Sequence, residues 1–417
     1  MLSALALLTM AAPAGAQSAK NIIIMISDGM GYAHLEAASM YQTGERRSQV
    51  YWAFEHQVGC STYSLMNRDG YDPEAAWAEF RWVQRLPTDS AAAGNAISTG
   101  AKTHNGLIGM QRDGAKLQHL MADAEAAGKS TGVLSTVRIS HATPAAFVAH
   151  NESRNNEEEI SAEMIGESGL DVLLGPGHPW YDNDGRQVGG REPDVFETTL
   201  SYKSVGGRSM WQALVEGAPV GADRDGDGEP DPWTLLHDAA SILALKEGET
   251  PERVLGVVPV HSTLQQSRTG NSEAAPFEVP LTPGLPSMSD LMLGALNVLD
   301  ANENGFVLMG EGGAVDWAGH DNAIGRMIEE QVDFDRAVAD VVDWVEQNSS
   351  WDETLLIVTS DHECGYLVGP GSDPDWEPLA NNGQGQVPGH EWKSGSHTNM
   401  LVPLFATGAG SGNVHDF

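Results

Sequence analysis

A serine that directly follows an aspartate marks the predicted start of a helix. Asp89 and Ser90 precede the alanine run 91–93, which favours helix, and either residue suits the N-cap position. There the Ser90 hydroxyl would lie near free backbone N–H groups and the positive end of the helix dipole, an environment that stabilises an alkoxide and attracts phosphate. Capped helices are common, so the motif gains meaning only from the acids and histidines elsewhere in the chain.

Carboxylates and a histidine follow apolar segments that predict buried strands. These side chains are Asp28 after segment 21–27, Glu311 after segment 306–309, and Asp361 and His362 after segment 354–358. Functional residues in open α/β sheets gather at the carboxyl ends of strands. Carboxylate and imidazole together bind zinc, whereas a lone glutamate suits a harder ion. These positions are therefore predicted metal ligands.

Asp316 and His320 form a second group of potential ligands. They are four residues apart, so on a helix they share one face. His397 is a third candidate because its small polar neighbours allow close approach to a metal, and His390 is a rival for the same role. A carboxylate with two imidazoles is a typical zinc set.

The segment 138–154 contains further candidate groups. His141 and Thr143 follow the predicted strand 132–136, and Arg154 comes shortly after them. An arginine guanidinium can hold two phosphate oxygens at once, which makes Arg154 a candidate phosphate ligand. A surface arginine paired with the acids at 157–159 is the alternative interpretation.

The order of the predicted elements indicates an α/β fold, with a mainly parallel central sheet flanked by helices on both faces. The predicted strands are 21–27, 132–136, 171–174, 254–258, 306–309, 354–358 and 400–405. Helical spacing of apolar residues predicts helices within 116–127, 289–300 and 324–345.

Residues 17–417 are predicted to form one catalytic domain with a peripheral insertion at about 181–271, where Gly, Asp and Pro are frequent. The acidic stretch 223–231 in this insertion is similar to a calcium loop, although Thr234 stands where an EF-hand would have glutamate. A solvated acidic turn is the alternative. The candidate calcium ligands are Asp223, Asp225, Asp227 and Asp231.

The chain is strongly acidic, with 58 acidic against 23 basic residues and a formal net charge of −35. This charge argues against binding to nucleic acid or to an anionic membrane, and no internal apolar run is long enough to span a bilayer. Marine or halophilic life is a hypothesis, because salt would screen the self-repulsion. Phosphate is also repelled at long range, so an anion site must be made positive locally by metals or arginine.

Residues 1–16 predict a signal peptide, and hence a periplasmic or secreted protein. An apolar stretch is followed by a small-residue cleavage site, but no basic residue precedes Lys20, which suggests a truncated start. Cys60 and Cys364 could pair after export, and the sequence leaves this open. Two cysteines are too few for a disulfide scaffold or a thiolate metal site.

Taken together, these motifs resemble those of the alkaline phosphatases, and most of all the bacterial, marine-type members. The resemblance extends over residues 21–177 and 287–408. It implies that Ser90 becomes phosphorylated, that Arg154 binds phosphate and that two zinc ions are bound. The implied zinc sets are Asp316, His320 and His397 for the first ion, and Asp28, Asp361 and His362 for the second.

The same resemblance implies one magnesium ion, held by Asp28, Thr143 and Glu311. His141 and Trp317 occupy positions that vary within the family, so His141 is an additional candidate ligand and the identity of the third ion stays open. The implied activity is hydrolysis of small phosphate monoesters through a phosphoserine, and a homodimer is left open. The alternatives are a phosphodiesterase of the same superfamily and a secreted calcium-binding protein.

Overall fold

The structure is a computed structural model that describes residues 18–415, except residues 68, 191–198 and 225. The predicted signal peptide, residues 1–16, therefore lies outside the described residues, as does Asp225 of the acidic stretch. Among the helices that are described, none has the length and apolar character needed to cross a membrane.

A central sheet and two short strand pairs make up the β-structure of the described residues. The central strands are β1 (Asn21–Ser27), β2 (His56–Cys60), β3 (Ser130–Ser135), β4 (Val172–Gly175), β5 (Thr234–Leu236), β6 (Val254–Val257), β7 (Phe306–Gly312), β8 (Thr354–Thr359) and β13 (Val402–Gly408). The short pairs are β9 (Glu363–Cys364) with β12 (His397–Thr398), and β10 (Leu367–Val368) with β11 (Glu391–Trp392).

The central strands lie in the order β2-β13-β8-β1-β7-β3-β4-β6-β5. Every neighbouring pair from β8 to β5 is parallel, whereas β13 runs antiparallel to both β8 and β2. The carboxyl ends of β1, β7 and β8, three adjacent parallel strands, therefore meet at one edge of the sheet. This edge carries most of the candidate ligands.

Helices cover both faces of this sheet. The α-helices of the described residues are α1 (Tyr32–Thr43), α2 (Pro73–Ala78), α3 (Ser90–Thr99), α4 (Leu120–Ala126), α5 (Ala142–Ala146), α6 (Glu157–Gly166), α7 (Gly207–Val215), α8 (Ala239–Ala244), α9 (Met288–Leu299), α10 (Ala314–His320) and α11 (Ile324–Asn348). Short 3₁₀ helices occur at Val50–Ala53, Trp82–Gln84 and Ser411–His415.

The position of strand β1 between two layers of helices explains why its sequence lacks polar alternation. Ile23 and Met25 pack into a hydrophobic cluster with α1, α9 and α11, whereas Ile24 and Ile26 pack into a second cluster with α3, α4 and α6. Because alternate side chains point to opposite faces of a strand, both faces of β1 are buried and both need apolar residues. The predicted α/β fold, with a mainly parallel sheet and helices on both faces, is confirmed.

The range 181–271, predicted as a peripheral insertion, also contributes to the central sheet. Strand β6 pairs with β4, and β5 pairs with β6 to form the edge of the sheet. The rest of the described part of this range is mostly turns and short helices outside the sheet. Elsewhere, Cys60 and Cys364 are both free, so the disulfide that the sequence left open is absent between these two described residues.

Candidate active site

Ser90 is the first residue of α3, and Asp89 is its N-cap. Oδ1 of Asp89 accepts a hydrogen bond of 2.9 Å from the backbone N–H of Ala92, and Oδ2 accepts another of 2.9 Å from that of Gly106. The predicted capped helix start is therefore present. Ser90 is only 1% exposed, and its Oγ lies 3.2 Å from Nε2 of His362. The serine hydroxyl thus faces the candidate ligands and not the bulk solvent.

Asp28, Asp361 and His362 form one compact donor group beside Ser90. Nε2 of His362 lies 3.2 Å from Oδ2 of Asp361 and 3.6 Å from Oδ1 of Asp28. All three side chains are buried, and both carboxylate oxygens of Asp28 lack a hydrogen-bond partner among the described residues. Unpartnered buried carboxylate oxygens are costly, so this group is suited to a cation.

Gly29 allows the end of β1 to approach the start of α10. Its φ is +81°, and a Cβ at this position would lie 2.6 Å from Cα of Asp316. Its backbone N–H donates a hydrogen bond of 3.2 Å to Oδ1 of Asp361. A glycine is required here both for the backbone conformation and for the close contact with α10.

Asp316, His320 and His397 form a second donor group. Nε2 of His397 lies 3.2 Å from Oδ1 of Asp316 and 3.1 Å from Nε2 of His320. The other ring nitrogens are held by backbone carbonyls, since Nδ1 of His320 lies 2.8 Å from Gly395 O and Nδ1 of His397 lies 2.9 Å from Thr88 O. Such bonds orient metal-ligating histidines, and here they leave both Nε2 atoms pointing into the group.

Asp28, His141 and Glu311 bring their donor atoms within 4.8 Å of one another to form a third group. Oε1 of Glu311 is buried without a hydrogen-bond partner in the described part of the chain, whereas its Oε2 accepts a hydrogen bond from Ser135. Thr143 is fully buried on α5, and its Oγ1 has no hydrogen-bond partner among the residues described. Asp28 therefore belongs to two of the three groups.

Arg154 lies between the helix cap and the third group. Nη1 is 3.2 Å from Oδ2 of Asp89, and Nη2 is 3.4 Å from Nε2 of His141. The His141 ring centroid lies 5.8 Å from that of Trp317. The guanidinium is therefore next to Ser90 and not paired with the acids at 157–159, where the structure instead places Arg138 against Glu157.

The electrostatics of these groups also favour cations. Burial raises the pKa of Asp28 well above its usual range, and the charges of Asp361 and Asp316 raise it further. Burial likewise raises the pKa of Glu311 to about 7 and that of Asp361 to about 6. Several buried carboxylates that raise each other's pKa form a site in which a divalent cation would relieve both desolvation and repulsion.

A cavity of about 480 Å³ opens onto Ser90 and the second donor group. Its lining residues are Ser90, His141, Arg154, Asn155, Asp316, Trp317, His320, Asp321 and His397. A ligand in this cavity could touch the serine hydroxyl, the Arg154 guanidinium and the donor atoms of Asp316, His320 and His397 at the same time.

Apart from His390 and the acidic stretch, the structure brings the candidate site residues together. His390, the rival of His397, instead has its Nδ1 2.9 Å from Pro388 O and lies outside the donor groups. In the acidic stretch, Asp223 accepts backbone hydrogen bonds from Gly226 and Gly228, and Asp231 accepts one from Arg224. No donor group of three or more is found there among the described residues, and Asp225 lies outside them.

Cys364, Asn155 and Asp321 are site residues that the sequence analysis did not identify. Cys364 joins Asp316, His320 and His397 in the second donor group, although two cysteines are too few for a thiolate metal site. The presence of only two cysteines excludes an all-thiolate site, but it does not exclude a single thiol among other donors. The signal that could have found Cys364 is its position two residues after His362, on the next short strand.

Comparisons with known proteins agree with this geometry. The profile of the family "Alkaline phosphatase" matches residues 19–388. Alkaline phosphatase 4 of Bacillus subtilis is 29% identical over 370 residues, which cover 86% of this chain and 65% of that protein. The chain therefore spans slightly less than two thirds of the length of this relative.

Two solved structures have the same fold. A mutant of TAB5 alkaline phosphatase, from an Antarctic bacterium, is 25% identical, with a TM-score of 0.64 over 95% of this chain and 93% of that one. A cold-active alkaline phosphatase from a psychrophilic Shewanella has the same identity and TM-score, over 93% of this chain and 94% of that one. Because the family profile covers most of its length, this chain belongs to the alkaline phosphatase family.

Proposed function

We propose that this protein is a metal-dependent hydrolase of phosphate monoesters that works through a phosphoserine at Ser90. The observation that carries the proposal is the position of Ser90 Oγ, 3.2 Å from Nε2 of His362 and in the same cavity wall as Asp316, His320 and His397. A nucleophile between two donor groups is the arrangement needed for in-line displacement at phosphorus. Family membership supports the same activity.

The donor chemistry fits two zinc ions and one magnesium ion. The zinc sets would be the Asp-His-His group of Asp316, His320 and His397, and the Asp-Asp-His group of Asp28, Asp361 and His362. Nitrogen-rich donors suit zinc, and the unpartnered oxygens of Asp28, Asp316 and Asp361 need a cation. Bound there, the two ions would supply Lewis-acid charge that favours the serine alkoxide and the departing ester oxygen.

The third group would hold magnesium through Asp28, Glu311 and Thr143, with His141 as a further candidate ligand. One of the solved neighbours, the TAB5 mutant, has Mg bound in a site named M3, which supports a third ion in this chain. Oxygen donors suit magnesium, whereas the imidazole of His141 suits zinc better. Occupancy of this group by either ion is thus part of the proposal.

In the first step Ser90 loses its proton to water in the cavity and its Oγ forms a bond to phosphorus, while the bond between phosphorus and the ester oxygen breaks and that oxygen takes up a proton. Burial at the start of α3 keeps the nucleophile fixed and shielded from bulk water. The Arg154 guanidinium, next to Asp89, can hold two equatorial phosphate oxygens, where the transition-state charge is spread. The alcohol product leaves through the open cavity.

In the second step a water oxygen attacks the phosphorus of the phosphoserine, and the bond to Ser90 Oγ breaks. Inorganic phosphate is released, and Ser90 regains its proton. Because Arg154 contacts non-bridging oxygens in both steps, it can remain in place throughout the cycle. The N-cap bond of Asp89 fixes the helix start, and with it Ser90, during both displacements.

The decisive experiment measures metal content and phosphatase activity in one purified sample. We expect about two zinc ions per chain by elemental analysis, together with hydrolysis of p-nitrophenyl phosphate that greatly exceeds hydrolysis of bis-p-nitrophenyl phosphate. Faster turnover of the diester would favour a phosphodiesterase. Calcium without zinc, and no esterase activity, would favour the calcium-binding alternative.

Export to the periplasm or medium, and assembly as a homodimer, are further proposals for this chain. The first is based on the signal-like residues 1–16. Fractionation of the native host, followed by N-terminal sequencing of the mature protein, tests the location. Light scattering of the purified protein tests the oligomeric state.

A further inference from the structure

Cys364 is the one thiol among the donor groups of the described residues. Its Sγ and the donor atoms of Asp316, His320 and His397 all lie within 4.8 Å of one another. Asp316 is only 4% exposed, and its Oδ1, 3.2 Å from Nε2 of His397, accepts no hydrogen bond from the described residues. A free thiol and an unsatisfied carboxylate therefore face the same point.

We propose that Cys364 is a sulfur donor of the second donor group, so that a metal there is held by an Asp-His-His-Cys set. The inference deepens the proposed function and rests on it for the presence of a metal at Asp316, His320 and His397. No role in the site is implied for this position by the sequence motifs, which assign only three donors to the ion.

Strand register places the thiol beside His397. Cys364 and His397 are directly opposite each other in the antiparallel pair β9·β12. Directly opposite residues of an antiparallel pair have their Cβ atoms about 4.5–5.5 Å apart on the same face. The neighbouring pair, Glu363 and Thr398, points to the other face, where their side chains are hydrogen-bonded to each other. The pairing thus directs Cys364 and His397 to the same side.

Gly319 lets the thiol approach the helix that carries the other donors. A Cβ on Gly319 would lie 3.3 Å from Sγ of Cys364, which is closer than most real contacts of this kind. Gly319 lies within α10 between Asp316 and His320. A side chain at this position would therefore push Cys364 away from the two donors of α10.

The backbone of Cys364 is fixed on both sides. Its N–H donates a hydrogen bond of 3.0 Å to the carbonyl of Gly29, and its carbonyl oxygen lies 3.0 Å from Nε2 of His34. Cys364 is fully buried and free. A thiol on a fixed backbone, with no disulfide partner, is available as a ligand.

The chemistry of a thiol donor defines what this site would select. Binding forms a sulfur–metal bond and releases the thiol proton to solvent, so the ligand is the thiolate. With Asp316, the thiolate would balance the two positive charges of the metal. Thiolate favours zinc over magnesium and calcium, so the second donor group would discriminate against hard cations more strongly than the other two donor groups.

Cobalt(II) spectroscopy of the full chain tests this inference with a readout other than activity. Cobalt bound to imidazoles gives visible ligand-field bands, and a thiolate ligand adds a sulfur-to-cobalt charge-transfer band in the near ultraviolet. We expect the cobalt-loaded protein to show both. The Cys60→Ser variant is the matched control, and it should retain both features because Cys60 lies on the edge strand β2, outside the donor groups.

In Cys364→Ser we expect the near-ultraviolet band to disappear while the visible bands remain. Visible bands without a near-ultraviolet band in the unmodified protein would overturn the sulfur donor and leave the proposed function intact. Failure of the protein to retain cobalt at all would overturn both. Should Cys364→Ser not fold, the Cys60→Ser protein still decides the question, because Cys364 is then the sole thiol of the chain.

Discussion

The guanidinium of Arg154 is held by the residue that precedes Ser90, the proposed nucleophile, since its Nη1 lies 3.2 Å from Oδ2 of Asp89. Asp89 also caps α3 through its other oxygen. One carboxylate therefore positions both the start of the helix that carries Ser90 and the candidate phosphate ligand. The same guanidinium lines the cavity, where it can meet a phosphate.

We expect Arg154→Ala to weaken inhibition by inorganic phosphate. Hydrogen bonds to charged groups contribute about 1.5–3 kcal/mol, so the inhibition constant should rise by roughly ten- to a hundredfold. Steady-state inhibition kinetics measure this constant. The control is Arg186→Ala, which removes an exposed arginine paired with Asp184. An unchanged inhibition constant in Arg154→Ala would argue against the role of Arg154.

Ser90→Ala should abolish the phosphoenzyme and lower turnover by at least about a thousandfold. The change removes one hydroxyl from a helical residue next to three alanines, so the fold should persist. Acid quenching with labelled substrate detects the phosphoenzyme, and circular dichroism checks the fold. Retention of full turnover would reject Ser90 as the nucleophile.

Chelation should remove activity and lower the melting temperature, because the buried carboxylates of Asp28, Asp361 and Glu311 would then repel one another. A ligand at a hundred times its dissociation constant stabilises the folded state by about 2.7 kcal/mol. The loss of this stabilisation on chelation should therefore be readily measurable as a lower melting temperature. EDTA treatment followed by calorimetry and activity assays, with zinc added back, makes the comparison. Activity indifferent to chelators contradicts the metal-dependent mechanism.

Gly29→Ala should destabilise the protein and weaken metal binding. The left-handed backbone alone costs about 1–2 kcal/mol for a residue with a Cβ, and here the Cβ would also overlap Asp316. Gly100→Ala is the matched control, because Gly100 has φ +69° but no atom near its Cβ among the described residues. Denaturant unfolding of both variants separates strain from overlap. Equal losses in the two variants would show that the contact with Asp316 is unimportant.

Glu330→Gln should stabilise the protein at alkaline pH. Burial raises the pKa of Glu330 to about 8, and the charges of Asp333 and Glu329 add to this effect. Since the folded state then binds a proton that the unfolded state has lost, stability falls as pH rises from about 4.5 to about 8. The neutral glutamine removes this loss.

Melting temperatures at pH 5 and pH 9 measure the effect of Glu330→Gln. The variant should melt higher than the unmodified protein at pH 9 and close to it at pH 5. The exposed Glu346 lies on the same helix, so Glu346→Gln is the control. A pH dependence that is identical in Glu330→Gln and the unmodified protein would refute the assignment.

Much of the fold follows from local patterns. The buried runs that became β1, β7 and β8 have no polar alternation, and this alone indicates strands covered on both faces. Helix limits are less predictable. The helix expected within 116–127 begins at Leu120, because Lys116 pairs in an isolated bridge with Met110.

The order of strands and the antiparallel direction of β13 could not be predicted, since both depend on contacts between residues distant in sequence. For the same reason, only part of the candidate site can be predicted from the sequence. Asp28 and Asp361 can be recognised because they lie one and two residues, respectively, after the strands β1 and β8. Cys364 was missed, because its relation to His397 exists only through the β9·β12 pairing.

Strand β7 leads almost directly into α10, so Glu311 and Asp316 are fixed on one short, buried stretch of backbone. Glu311 belongs to the third donor group and Asp316 to the second, and Gly29 packs against this stretch. The spacing between the third and the second donor group is therefore set by a backbone stretch of five residues and not by side-chain flexibility. Substitution of the donors can change which cation each group favours, but the distance between the two groups can change only if the junction between β7 and α10 is rebuilt.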